Sequence, residues 1–161
     1  VLIPYMRYNI WGKAEQNRKI FMGDSGSLTL GFILGFLFVK SAMHNPPLMP
    51  GSPTRFMLAY SLLVVPVFDV VRVILHRLRT HQPLFNADKN HIHHKLIRLG
   101  MTQHQALIFI LGLAVAYVAV NLLLFTTISI TPIVLIDVAV FTVMQLLLTR
   151  KVERKELKIA A

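Results

Sequence analysis

Four long apolar stretches dominate this sequence: residues 27–43, 56–75, 106–126 and 132–149. A helix rises 1.5 Å per residue, so about 20 residues cross the ~30 Å hydrocarbon core of a bilayer. The connecting segments are too short and too few to wrap four such helices in water. The second stretch contains Pro66, which removes a backbone donor and crowds the preceding turn. The sequence therefore predicts an all-α, polytopic membrane bundle of about four transmembrane helices, one of them kinked or broken near Pro66. Composition agrees. Apolar residues make up 55% of the 161 and charged residues 15%, against a usual ~45–50% and about 25%. Such a chain is not intrinsically disordered. It has no cysteine, which excludes a disulfide framework, Cys-ligated zinc, iron–sulfur clusters and thiol catalysis.

The charge, 17 Lys+Arg against 7 Asp+Glu, is unevenly placed. Residues 1–26 carry Arg7, Lys13, Arg18 and Lys19, with no apolar h-region of a signal peptide among them. Residues 44–55 carry only Arg55, and residues 76–103 carry Arg77, Arg79, Lys89, Lys95 and Arg98. The turn 127–131 has none, and the tail has Arg150, Lys151, Arg154, Lys155 and Lys158. The alternation is unbroken. Positive-inside logic places the first segment, the central loop and the C-terminus in the cytoplasm, and the two poor turns outside. Topology accounts for the basic excess, so nucleic acid is not an expected partner. The expected division is a membrane-embedded region over 1–149 and a basic cytoplasmic tail over 150–161.

Two motifs fall on the basic side. The first is Phe21-Met22-Gly23-Asp24-Ser25-Gly26-Ser27, at the entry to the first span. Gly23 and Gly26 permit tight turns. Asp24 or Ser25 can cap the helix, and a carboxylate there can hold Mg²⁺ beside a phosphate that backbone amides also bind. A plain N-cap is the competing reading. Gly-Asp-Ser-Gly is not taken as a serine-protease box, because it opens a membrane span and is followed by Ser27.

The second motif runs from Pro83-Leu84-Phe85 through Asp88 and Lys89 to His91-Ile92-His93-His94-Lys95. Asp88 can cap a helix or orient His91. Three imidazoles beside Lys89 and Lys95 make a cationic, proton-exchanging patch suited to a diphosphate. Contact with anionic lipid and a zinc site stay open beside it, although the lysines oppose a dication. Within the spans, Asp69 and Arg72 are spaced to pair at i, i+3. Asp137 reads as a structural carboxyl, protonated or helix-paired, rather than a proton relay. Asn121 and Gln145 read as interhelical hydrogen-bond partners. Tyr5, Tyr8 and Trp11 read as interface markers.

Taken in order, Phe21-Met22-Gly23-Asp24-Ser25-Gly26-Ser27-Leu28, Pro66-x-x-Asp69, Arg72, Pro83-Leu84-Phe85, Asp88 and His91-Ile92-His93-His94 resemble the polyprenyl-phosphate N-acetylhexosamine-1-phosphate transferases. The resemblance covers nearly all of residues 1–126. It implies that a lipid phosphate attacks the β-phosphorus of a UDP-N-acetylhexosamine, that a lipid-linked diphosphosugar forms and that UMP leaves. It also implies Mg²⁺ (or Mn²⁺) held by Asp24, stacking of Phe21 near the nucleobase, and a substrate or catalytic role for His91, His93 and His94. Gly23, Ser25, Gly26, Asp88 and Lys89 complete the expected substrate contacts. Ile92 in place of a third consecutive histidine resembles the N-acetylglucosamine-type branch. The family's upstream acidic pair and its Asn/Asp-rich motif do not occur here. The chain therefore reads as the C-terminal portion of a longer enzyme, inactive alone. Its expected setting is a bacterial inner membrane, beside the N-terminal part of that enzyme or a second copy in a homodimer. Two rivals are a metal- or proton-coupled transporter fragment using the histidines, and a scaffold whose basic loop and tail grip anionic lipid.

Overall fold

The computed structural model describes residues 2–12, 20, 22–43, 53–83 and 90–160. Six helices are present among them: α1 (Leu2–Trp11), α2 (Asp24–Ala42), α3 (Pro53–Arg79), α4 (Ile92–Arg98), α5 (Gln103–Phe125) and α6 (Ile130–Ala160). No strand occurs among the described residues. By length and composition, α2, α3, α5 and α6 up to Lys158 can each cross a membrane. The chain is a helical membrane bundle.

Two compact units divide the chain, residues 1–43 and residues 44–161. In the first, α2 follows the short α1, and the Asn9 side chain donates to the Ile20 carbonyl at 2.8 Å. In the second, α3 packs chiefly on α5, α6 touches both, and α4 lies against α5 and α6.

The second unit is polar inside and apolar outside. Its buried residues include Ser61, Asp69, Arg77, Lys95, Asn121, Asp137 and Gln145, whereas Leu62, Val70, Ile108, Leu111, Val115 and Leu135 are exposed. A soluble bundle would aggregate with that surface. In lipid it is stable, because tails solvate the outer face and intramembrane polar groups turn inward to pair. An apolar layer of Val64, Val65, Tyr117 and Phe141 forms one core cluster. A second cluster joins Ile92 and Leu96 of α4 to Ala106 of α5.

Local signals set the helix ends. Thr102 and Gln105 form a reciprocal capping box at the start of α5, with bonds of 3.3 and 2.9 Å. After α4, Gly100 takes φ +99°. Gly100 N–H donates to the Ile97 carbonyl and Met101 N–H to the Leu96 carbonyl, closing a Schellman motif. The end of α3 is built the same way with His81 at φ 53°.

Helix α3 runs through Pro66 without interruption, so of the two alternatives, a kink or a break, the break is excluded. The basic residues 150–160 continue α6 as helix, with Val152 buried. At 1.5 Å per residue, the 31 residues of α6 reach about 46 Å, longer than a bilayer core. The charged last turns thus clear the apolar zone.

Candidate functional site

In the first unit, Asp24 is the first residue of α2, not its cap. Gly23 occupies the N-cap position with extended backbone and makes no side-chain cap bond. Ser27 donates to the Asp24 carbonyl at 2.9 Å and Thr29 to the Ser25 carbonyl at 2.7 Å. The expected capping by Asp24 or Ser25 is therefore absent, because both side chains lie past the capping position. Gly23, Asp24 and Ser25 are exposed and Gly26 is half-buried. A Cβ on Gly26 would stand 2.9 Å from the Met22 side chain. Phe21 lies outside the described residues, as do Asp88 and Lys89.

In the second unit, the histidine motif is built on α4. Ile92 and Leu96, one turn apart, are 3% and 1% exposed and pin this short helix to the bundle. That burial explains the apolar residue inside the histidine run: position 92 faces the core, so an imidazole there would bury a polar ring. The neighbours 91, 93 and 94 project around it. The rings of His91 and His93 are stacked at 5.9 Å, and those of His93 and His94 are 4.0 Å apart and tilted. Burial, then the imidazoles of His94 and His91, lower the pKa of His93 from its usual 6.5.

Asp69 of α3 holds this cluster. It is 6% exposed. His91 Nδ1 lies 2.9 Å from Asp69 Oδ2, and Arg72 Nη2 donates to Oδ1 at 3.2 Å. The Ile92 amide donates to both oxygens at 3.2–3.3 Å, and Gln145 Nε2 reaches Oδ1 at 3.5 Å. Arg72 also donates to the Asn90 carbonyl. Asp69 thus caps α4 and partners His91; Asp88, for which the sequence suggested either role, lies outside the described residues. Pairing of Asp69 with Arg72 was legible from their spacing; the link to His91 was not.

Lys95, which the sequence places in the cationic patch beside the imidazoles, is buried. It is 6% exposed. Its Nζ donates to Gln145 Oε1 at 3.0 Å and Thr149 Oγ1 at 2.7 Å. Burial, followed by the Arg72 charge, lowers its pKa to about 8. Its i, i−3 and i, i+4 register with Ile92 and Leu99 on a helix whose apolar side is buried was the available signal.

These groups suit an anion better than a cation. The second unit gathers Arg72, Lys95 and three imidazoles around one carboxylate that is already bonded. Among the described residues, no three His, Asp or Glu side chains are placed to hold a metal ion.

The chain matches curated proteins over 109 residues, 68% of its length. It is 30% identical to the undecaprenyl-phosphate alpha-N-acetylglucosaminyl 1-phosphate transferase of Haemophilus influenzae. It is 32% and 33% identical to the proteins of that name from Escherichia coli K12 and Salmonella typhi. The chain is a homologue of these transferases. It spans only 28–29% of the length of these transferases. No family model matches it, and no solved structure does.

Proposed function

We propose that this chain supplies the histidine-loop side of a site that transfers N-acetylglucosamine-1-phosphate from a UDP-sugar to a polyprenyl phosphate. A lipid-phosphate oxygen forms the new bond to the β-phosphorus, the bond to the UMP oxygen breaks, and UMP carries off the electron pair. Such a reaction asks for alignment and charge neutralisation rather than covalent chemistry by the protein. Arg72 and the imidazoles of His91, His93 and His94 would neutralise the diphosphate; Gly23, Asp24, Ser25 and Gly26 are proposed substrate contacts on the ground of resemblance. Phe21, Asp88 and Lys89 are proposed contacts on the same ground of resemblance. Mg²⁺ belongs to this reading as a cofactor that other residues must complete, so the 161 residues alone should release no UMP. The proposed setting is an inner membrane with this site on the cytoplasmic side, in polysaccharide or cell-wall synthesis.

One observation carries the reading: three clustered imidazoles held at the basic end of an apolar bundle, in a homologue of such transferases. UDP-N-acetylglucosamine titrated into the chain in lipid nanodiscs tests it. Replacing His91, His93 and His94 together by Gln, with every Lys and Arg kept, should weaken nucleotide-sugar binding at least tenfold. Binding to vesicles of anionic lipid should be unchanged. Equal nucleotide binding by both proteins would sink the proposal; loss of vesicle binding alone would favour a lipid-gripping loop. Because His93 titrates low, affinity should also rise as pH falls below the usual imidazole range and the ring gains its proton.

A further inference from the structure

Helix α4 has seven residues, too few to be stable alone. Its N-cap is His91, whose own side chain makes no cap bond. The first amides of a helix lack intrahelical partners. Here the acceptor comes from another helix: the Asp69 carboxylate takes the Ile92 amide at 3.2–3.3 Å across 23 residues of chain. His91 Nδ1 lies 2.9 Å from the same carboxylate. One buried group thus fixes both the start of α4 and the ring that precedes it. Arg72 bonds Asp69 and the Asn90 carbonyl, so the residue before His91 is secured as well. Gln145 of α6 contacts the carboxylate from the third side.

The consequence is chemical. A neutral imidazole carries one N–H and one lone-pair nitrogen, and the partner of one nitrogen decides the state of the other. A carboxylate oxygen at Nδ1 demands the proton there. The His91 side chain is 29% exposed while that of Asp69 is 8% exposed. One edge of the ring is therefore anchored inside and the rest reaches outward.

We propose that Asp69 is a positioning residue for phosphoryl transfer: it caps α4 from α3 and clamps His91 through Nδ1, so that Nε2 is the nitrogen offered to substrate phosphate. The substrate in this statement rests on the transferase reading; the clamp does not. Asp69 itself touches no substrate. A carboxylate that merely filled the core would leave His91 free to choose its tautomer.

Nitrogen-15 spectra of the histidines test this, recorded on the full chain in nanodiscs, with His91 assigned by its loss in H91Q. Neutral His91 should be protonated at Nδ1, opposite to the form that a free histidine side chain favours. D69N should keep that tautomer, because an amide oxygen still accepts; D69A should release His91 to the Nε2–H form. An Nε2–H tautomer in the wild type, or Nδ1–H surviving in D69A, overturns the clamp. The wild-type spectrum and D69N decide the matter even if D69A does not fold. UDP-N-acetylglucosamine is then added. It should perturb the wild-type His91 signal, with affinity at least tenfold weaker in D69A than in D69N. The expected tautomers with no nucleotide response would overturn the assigned substrate and leave the clamp. A response equal in D69A and D69N would overturn the positioning role.

Discussion

Asn121 of α5 is joined to Asp137 of α6 by a 2.8 Å hydrogen bond from its Nδ2, and the same nitrogen donates to Ser61 Oγ of α3 at 3.1 Å. One amide therefore ties three helices. All three residues are buried, Asn121 and Ser61 completely. Polar bonds in membrane bundles average only ~0.6 kcal/mol, with a maximum near 1.7, because separated helices also find partners. Asn121 exceeds the average case, since its removal strips donors from two buried oxygens at once. N121L should cost about 1–2 kcal/mol in reversible unfolding from bicelles. D137N, which keeps an acceptor, should cost less than D137L. A double-mutant cycle between 121 and 137 that shows no coupling would refute the tie.

Lys95 gives a pH dependence with a definite sign. Its folded pKa of about 8 lies below the ordinary 10.5. Between those values the unfolded chain binds more protons than the folded one, so stability rises with pH through that window. Below about 8 both states are protonated and the penalty for burying the charge is constant. Thermal unfolding of the wild type should shift upward between about pH 8 and 10, and K95M should remove that slope. Methyl-labelled Lys95 followed by NMR should titrate near 8; a midpoint near 10.5 would show the ammonium to be solvated.

Much of this arrangement was legible in the sequence, and the illegible part has a common cause. The four spans follow from apolar length, and the Asp69–Arg72 pair and the interhelical roles of Asn121, Asp137 and Gln145 follow from the cost of polar groups in lipid. The bond between Asp69 and His91 joins residues 22 apart through the folding-back of α4, which depends on Ile92 and Leu96 finding Ala106. No local pattern encodes that approach. The extension of α6 was hidden for a different reason: charge masks the apolar period, although Lys, Arg, Glu and Leu all favour helix.

The two left-handed helix ends should respond oppositely to substitution. Gly100 has φ +99°, and a Cβ there would stand 3.1 Å from Lys155 Nζ, which donates to the Arg98 carbonyl. G100A should destabilise by roughly 1–2 kcal/mol, since the left-handed region is unfavourable for a side chain. His81 already bears that strain at φ 53°. H81G should be neutral or stabilising by a few tenths of a kcal/mol, the relief being offset by the larger entropy of an unfolded glycine. Chemical unfolding of the two variants in one detergent checks the sign of each; equal losses would contradict the assignment of both ends.

Ile92 offers the sharpest separation of packing from chemistry in the histidine run. It is 3% exposed and packs with Leu96 and Ala106, and its amide is bonded to Asp69. I92V keeps most of the buried volume and should cost about 0.5–1.5 kcal/mol, whereas I92A should cost about 2–4 through the lost contacts and the cavity. I92H, which makes four consecutive histidines with 91, 93 and 94, should be no better tolerated than I92A, because the added ring must bury a polar nitrogen. Hydrogen exchange reads the outcome locally. Amides 95 and 96 should lose protection in I92A and I92H while amides in the middle of α5 keep theirs. If I92H instead protected α4 as well as the wild type does, position 92 would face solvent, and its apolar residue would owe nothing to packing.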